Sequence, residues 1–249
     1  MAERTGREAA IQAVLFDLDG TLRHSIPSSI DVFHQVAEEL GVQFGPKEIR
    51  EAQRWQYEYW AGSEELVLDR AATVDGSEGD FWRAYARRHL QVLGVAEAET
   101  VALAAEITQR LLHEHEPIDT VAGDAHETLY HLRQAGYILG VVSNRSQPFV
   151  PLMEELRLMQ HFDFALAAGE IGRWKPDPML FEHVLERMQV SPDAAIYVGD
   201  NFYADVLGAE AAGLRPILLD PHGLFPEAGC EVIQTLADLL PILSGMDGN

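Results

Sequence analysis

Cysteine is nearly absent. Cys230 is the one cysteine in 249 residues, so no internal disulfide can form and nothing points to an oxidising compartment. Long apolar runs are missing too: none approaches the ~20 residues that cross a bilayer. The opening stretch MAERTGREAA is charged and lacks the apolar core of a signal peptide. Basic residues are scarce, 18 Lys and Arg against 40 Asp and Glu, for a net charge of −22. Such a surface repels nucleic-acid phosphates, whose binding depends on Lys and Arg. It still admits a small anionic substrate, because a few local cations override distant charge across a Debye length of roughly 8 Å. The expectation is a soluble cytoplasmic protein, monomer or homodimer, with a small-molecule partner, no nucleic acid and no membrane.

What is present is core-forming material, with 47% hydrophobic residues, enough for one large domain or two unequal ones. Residues 11–17, 137–143, 162–168, 194–199 and 215–219 are short apolar runs such as YILGVVS and AAIYVGD. Unalternated and bounded by Gly, Asp or Asn, they predict strands buried on both faces. Helical segments at 123–135, 147–158, 178–189 and 202–212 fall among the last four. The alternation predicts an α/β fold with a doubly wound, mainly parallel, Rossmann-like sheet.

The interval from about 23 to 120 shows no strand pattern. Ile30, Phe33, Val36, Ala37 and Leu40 share a helical face, as do Trp82, Tyr85, Ala86, His89 and Leu93. A third face gathers Val101, Ala104, Ala105, Thr108, Leu111 and Leu112. Pro46 suits a first helical turn and Ser77 an N-cap. The expected organisation is an α/β core of residues 1–22 and 120–249 with an all-helical insert of 23–119. The tail SGMDGN is expected to be disordered.

Open parallel sheets bind ligands beyond the carboxyl ends of their strands. Those ends carry Asp17, Asp19 and Thr21, then Ser143 and Asn144, then Asp200 and Asp205, with Lys175 in the GRWKPDP segment. Clustered carboxylates repel unless a cation neutralises them, and hard oxygen donors without a His or Cys cluster suggest Mg²⁺ rather than zinc. Lys175 adds a point charge, and Thr21 and Ser143 add hydroxyl donors. That set meets the needs of a transferring phosphoryl group. One aspartate can attack phosphorus, and a second, two residues on, can protonate the leaving oxygen and later activate water.

FDLDGTL, VVSN, KPDP and VGDNFYAD resemble, in order, the four signature motifs of the haloacid dehalogenase superfamily. Asp17 and Ser143 are 126 residues apart, Ser143 and Lys175 are 32 apart, and Lys175 and Asp200 are 25 apart. The first gap leaves room for the helical cap of the branch that includes phosphoglycolate phosphatases and β-phosphoglucomutases. The resemblance implies Asp17 as nucleophile and metal ligand. It implies Asp19 as general acid and base with its backbone carbonyl on Mg²⁺, and Ser143 and Lys175 on the phosphoryl oxygens. Asp200 would complete the metal site, and Asp205 would sit behind it or act through water. The cap would close over the substrate and set specificity. The dehalogenases of the superfamily resemble Asp-x-Tyr-Gly-Thr, whereas the third position here is Asp19, which favours phosphoryl transfer: the resemblance implies a Mg²⁺-dependent phosphatase that hydrolyses a small phosphorylated metabolite through an aspartyl-phosphate intermediate. A phosphomutase with the same core, a 2-haloacid dehalogenase and a non-catalytic binding module are the alternatives. Where relatives continue with an apolar residue and Asp-Ser, this chain has Arg23-His24-Ser25.

Taken singly, each residue has a plainer role. Asp19-Gly20 can be a turn, Lys175 a solvated loop lysine, and Asp205 a first-turn acid on a helix. Arg145, Arg173 and Arg23 are candidates for the substrate anion. The aromatics Trp55, Tyr57, Tyr59 and Trp60 of WQYEYW are expected to pack within the helical insert rather than stack on a base, and Arg54, Arg83, Arg87 and Arg88 to form a solvated face.

Overall fold

A computed structural model describes residues 10–73 and 78–247. Strands β1 (Ala13–Phe16), β4 (Ile138–Ser143), β5 (Phe164–Ala167), β6 (Ala195–Gly199), β7 (Arg215–Leu219) and β8 (Glu231–Ile233) form one sheet. Their order is β5-β4-β1-β6-β7-β8, and every neighbouring pair is parallel. Alternate side chains leave each strand on opposite faces. In β1, Val14 and Phe16 enter one core, and Ala13 and Leu15 enter the other. In β6, Ile196 and Val198 pack with the first pair, Ala195 and Tyr197 with the second. Burial on both sides explains why these runs read as continuously apolar. β8 escapes the pattern because only Ile233 is buried, with Glu231 and Val232 exposed at the sheet edge.

Helices α6 (Ala125–Gln134), α7 (Val150–Glu155), α9 (Pro178–Met188) and α10 (Leu207–Ala211) follow the expected alternation. A four-residue helix, α8 (Ala168–Ile171), is additional. The start of α9 explains half of KPDP: the Asp177 side chain accepts from Met179 N at 3.0 Å as N-cap, and Pro178 takes the first turn. The expected disorder of SGMDGN is overturned for Ser244–Asp247, which belong to α11 (Leu239–Asp247). There Met246 packs on the core and its Sδ accepts from Arg215 Nη1 at 3.1 Å. The last two residues of that stretch lie outside the described residues.

The chain divides into two compact units, one holding the chain through Arg23 and again from Val121, the other His24–Thr120. The second contains α1 (Ser29–Glu39), α2 (Pro46–Trp60), α3 (Glu64–Ala72), α4 (Glu78–Val92) and α5 (Glu97–Glu114). Ser28 and Ser63 cap α1 and α3 through their hydroxyls, and Pro46 opens α2. The N-cap expected at Ser77 falls outside the described residues. Phe33, Val36 and Ala37, from the expected face of α1, share a core with Ala86, Leu90 and Leu93, of which Leu90 lies outside the expected face.

Two expectations for this interval fail. The interval does contain strands: β2 (Arg23–Ile26) and β3 (Ile118–Val121) form a two-stranded sheet. At four residues each, with no fully buried position, they carry no alternation long enough to read. The buried face of α5 is Thr100, Ala104, Ile107 and Thr108, while Val101 is 58% and Leu112 47% exposed. An alanine-rich helix offers two apolar stripes, and the one chosen here buries two threonines: the Thr100 hydroxyl donates to Glu97 O at 2.8 Å, and the Thr108 hydroxyl is left without a partner among the described residues. Among the described residues no helix is long and apolar enough to cross a membrane.

Candidate functional site

The carboxyl ends of β1, β4 and β6 bring the expected groups together because the strands are immediate neighbours. Asp17 follows β1 and is held there by its amide, which donates to Val198 O at 2.8 Å. The chain then folds into a tight turn, with Leu22 and Arg23 amides both bonded to Leu18 O and Gly20 N to Arg23 O. Gly20 sits at φ +95°, where side chains are strained. Thr21 is fully buried beneath the turn and its hydroxyl points to Asp200 Oδ1 at 3.3 Å.

Lys175 is the centre of the cluster. Its buried Nζ donates to Asp17 Oδ1 at 2.6 Å, Asp205 Oδ1 at 2.7 Å and Tyr197 OH at 3.0 Å. An ammonium has three protons, so this pattern accounts for all of them. Burial alone would push Lys175 down, but Asp17 and Asp205 hold its pKa well above the usual lysine value. Solvent exposure at Lys175 is only 3%, which rules out a solvated loop lysine. Asn144 fixes its backbone from both sides: Asn144 Oδ1 accepts from Lys175 N at 2.7 Å, and Asn144 Nδ2 donates to Lys175 O at 3.0 Å. Asn144, expected on the phosphate, therefore spends its amide on placing the lysine. Ser143, the last residue of β4, is buried beside it.

Asp205 lies in a π-helical turn, Phe202–Val206, and is 1% exposed. It accepts from Lys175 and, through Oδ2, from Asn201 N at 2.9 Å. A first-turn acid on a solvated helix would show neither the burial nor the lysine. Gly199 makes the approach possible, since a Cβ there would lie 2.2 Å from Asp205 Oδ2.

One oxygen from each of Asp17, Asp200 and Asp205 can be chosen so that all lie within 4.8 Å of one another. Three carboxylates against one ammonium leave two negative charges, the complement of one divalent cation. The imbalance registers on Asp17. Burial raises its pKa to about 7, with Asp205 and Asp19 adding to the rise and Lys175 opposing it. An oxygen-only donor set with this charge fits a hard divalent ion.

Asp19 is held differently. Arg145 grips it side-on, Nε to Oδ2 at 2.7 Å and Nη2 to Oδ1 at 2.8 Å, and Arg23 Nη1 adds a bond to Oδ1 at 2.9 Å. Burial pushes Asp19 up, but Arg145 and then Arg23 outweigh it and hold the carboxyl below its usual range. Arg145 and Arg23, expected on the substrate anion, thus face the aspartate two residues after Asp17. Arg173 is exposed and pairs with Asp177 at 3.2 Å, away from the Lys175 cluster's contacts.

Two residues of this constellation were not anticipated. Tyr197, inside β6, donates its hydroxyl to Val142 O at 2.8 Å while accepting from Lys175. In the sequence it is one more aromatic in an apolar run. Asn201 caps the π-turn with its side chain on Tyr203 N and Ala204 N, both at 3.0 Å. Its place immediately after Asp200 in VGDNFYAD was the available signal.

The chain is 30% identical over 235 residues to phosphoglycolate phosphatase 1 of Pseudomonas aeruginosa, covering 92% of this chain and 78% of the relative. It is also 30% identical over 215 residues to ribulose-1,5-bisphosphate 5-phosphatase of Halopiger xanaduensis, covering 84% of each. Among solved structures, the 2-haloacid dehalogenase of Pseudomonas syringae superposes with a TM-score of 0.54 at 27% identity, covering 94% of this chain and 98% of that one. The family model for haloacid dehalogenase-like hydrolases matches residues 11–213, a span that runs from β1 through α10 and takes in every residue of the cluster. The chain belongs to the haloacid dehalogenase-like hydrolases.

Proposed function

We propose that this hydrolase is a Mg²⁺-dependent phosphatase of a small phosphorylated metabolite, and that the phosphoryl group is carried transiently on Asp17. The observation that supports this best is the buried triangle of Lys175 with Asp17 and Asp205, at 2.6 and 2.7 Å, beside Asp200. The triangle holds a carboxylate rigidly in rotation and in position, as a nucleophile requires. The Asp17 and Asp200 carboxylates and the Asp19 carbonyl are the groups that would hold the ion, with Asp205 behind them or acting through water. When bound, it neutralises charge on the transferring phosphoryl oxygens.

An Asp17 carboxylate oxygen attacks phosphorus, and the bond from phosphorus to the ester oxygen breaks. Asp19 supplies the proton that the leaving alkoxide needs. Water then attacks the acyl phosphate and Asp19 takes its proton, which releases inorganic phosphate and restores the Asp17 carboxylate. The guanidinium partners of Asp19 favour its ionised form, the form needed in the second step. Ser143 and Lys175 are the proposed partners of the phosphoryl oxygens, Lys175 by releasing one of its three contacts to Asp17, Asp205 and Tyr197.

Asp19 also separates this reading from dehalogenation, in which the leaving halide needs no proton. The likeness to a 2-haloacid dehalogenase structure therefore bears on the fold and the nucleophile, not on the leaving group. The two phosphatase relatives make phosphoglycolate and sugar phosphates the first substrates to try. We assign substrate choice to the helical unit, His24–Thr120.

The test is a phosphometabolite screen with and without Mg²⁺, joined to acid-quench trapping of phosphoprotein. Wild type is expected to form an acid-stable, hydroxylamine-labile phosphoprotein that Asp17→Asn does not form, with the fold of the variant intact by circular dichroism. Turnover by Asp17→Asn, or full activity after exhaustive chelation, would sink the reading.

A further inference from the structure

Both oxygens of Asp19 are held by arginine. Arg145 closes a bidentate pair on Oδ1 and Oδ2 at 2.8 and 2.7 Å, and Arg23 takes Oδ1 again at 2.9 Å. An ionised carboxylate offers about four lone-pair directions, so three guanidinium N–H groups leave one open. Arg145 is itself anchored through its backbone. Its carbonyl accepts from Gly169 N at 3.0 Å, and the neighbouring Asn144 is clamped on the Lys175 backbone at 2.7 and 3.0 Å. A Cβ on Gly169 would lie 2.1 Å from Ser146 O, so the segment after β4 is pressed against the start of α8. The fork therefore comes from a fixed base and reaches across from the end of β4 to the turn after β1.

A planar fork on a planar carboxylate sets both its distance and its rotation, which a lysine at the same place would not. We infer that Arg145 is a positioning residue for Asp19, fixing the carboxyl group so that the one oxygen position free of guanidinium, which carries the proton in the first step and accepts the water proton in the second, faces the leaving oxygen. The inference rests on the role proposed for Asp19. It differs from an arginine that binds the substrate, because the contact runs to the enzyme's own acid–base group. It differs from a plain surface ion pair, since the side chains of Arg145 and Asp19 are only 32% and 35% exposed and the geometry is bidentate.

The consequence is a loss that tracks the leaving group. With Arg145→Ala, kcat/KM for glycerol 3-phosphate, whose alkoxide needs the proton, is expected to fall about 10–10²-fold, within the range that a misplaced general acid costs. For p-nitrophenyl phosphate, whose phenolate needs little protonation, the fall should be a few-fold at most. The inhibition constant for inorganic phosphate should stay within about two-fold. In the Asp19→Asn background, Arg145→Ala should cost almost nothing more, because both act on one step. Added guanidinium ion should restore part of the alkyl-phosphate rate to Arg145→Ala and none to Asp19→Asn. Arg145→Gln, closer in shape, is to be run in parallel, and thermal unfolding of each variant establishes that it is folded.

Equal losses on the two substrates, or a full additional loss in the Asp19→Asn background, would overturn the inference and place Arg145 on the substrate or in the fold. If Asp19→Asn alone shows no dependence on the leaving group, the role of Asp19 falls, and this inference with it. That failure is read in a different variant, so the two are distinguishable.

Discussion

A Cβ placed on Gly20 would lie 2.2 Å from Oδ2 of Asp200, so the turn after β1 and the acid after β6 occupy one another's space. The glycine is required twice, for this approach and for its φ of +95°. Gly20→Ala is expected to displace the Asp200 carboxylate and with it the Thr21 contact at 3.3 Å. The predicted result is at least a ten-fold loss of Mn²⁺ affinity, measured by electron paramagnetic resonance without substrate, and a stability cost above about 1 kcal/mol. Unchanged metal affinity would show that Asp200 is not a ligand.

Lys175 holds Asp17 and Asp205 against each other in a buried site. Lys175→Met keeps the stem and removes the ammonium, leaving two buried carboxylates without their counter-charge. Breaking a buried pair in this way costs about 3–5 kcal/mol. The expected outcome is a large fall in Tm for metal-free protein, with Mg²⁺ raising Tm more in the variant than in wild type, because the ion then offsets a larger imbalance. If the metal-free variant is as stable as wild type, the lysine does not hold the carboxylates in place.

The sheet was legible because its strands are buried on both faces, and apolar runs too short for buried helices, bounded by Gly or Asp and alternating with helical segments, mark parallel strands. The site was legible in membership, because the strand ends it uses carry Asp17, Ser143 and Asp200 in succession. Its internal bonding was not. Arg145 and Asp19 are 126 residues apart, and Thr21 and Asp200 are 179 apart, so no local pattern says that an arginine will face an aspartate rather than a substrate. Tyr197 was hidden for the opposite reason: its ring satisfies the apolar pattern and only its hydroxyl does chemistry. The phase of α5 was misjudged because alanines line more than one stripe. β2, β3 and β8 carry too few buried positions for any period to register.

The last prediction concerns the helical unit alone. His89 of α4 is fully buried, stacked on Phe33 at 4.2 Å, with its Nε2 3.2 Å from Nε2 of His34 and no partner for Nδ1. A bare Nδ1 acceptor costs less than a stranded N–H donor at that depth, so the arrangement favours His89 donating its Nε2 proton to His34. Protonating His89 would add the donor that has nowhere to go. Burial, and then the charge of His34, lowers its pKa to about 3. The folded value is depressed below the ordinary 6.5, so the unfolded chain takes up a proton that the folded chain refuses. The contribution of His89 to stability is therefore complete above about pH 6.5 and is lost as pH falls towards 3. The slope is up to about 1.4 kcal/mol per pH unit. Phe at this position keeps the stack on Phe33 and cannot titrate, and His34, half-buried, can turn its freed nitrogen to water. Between pH 7.5 and pH 5.0, His89→Phe is expected to lose about 2 kcal/mol less stability than wild type in urea unfolding. Taking the difference between the two proteins cancels the titrating groups distant from His89, among them His161 and Asp17 in the α/β unit. Parallel pH dependences for variant and wild type would mean that His89 accepts its proton in the folded state, and that Nδ1 finds an acceptor.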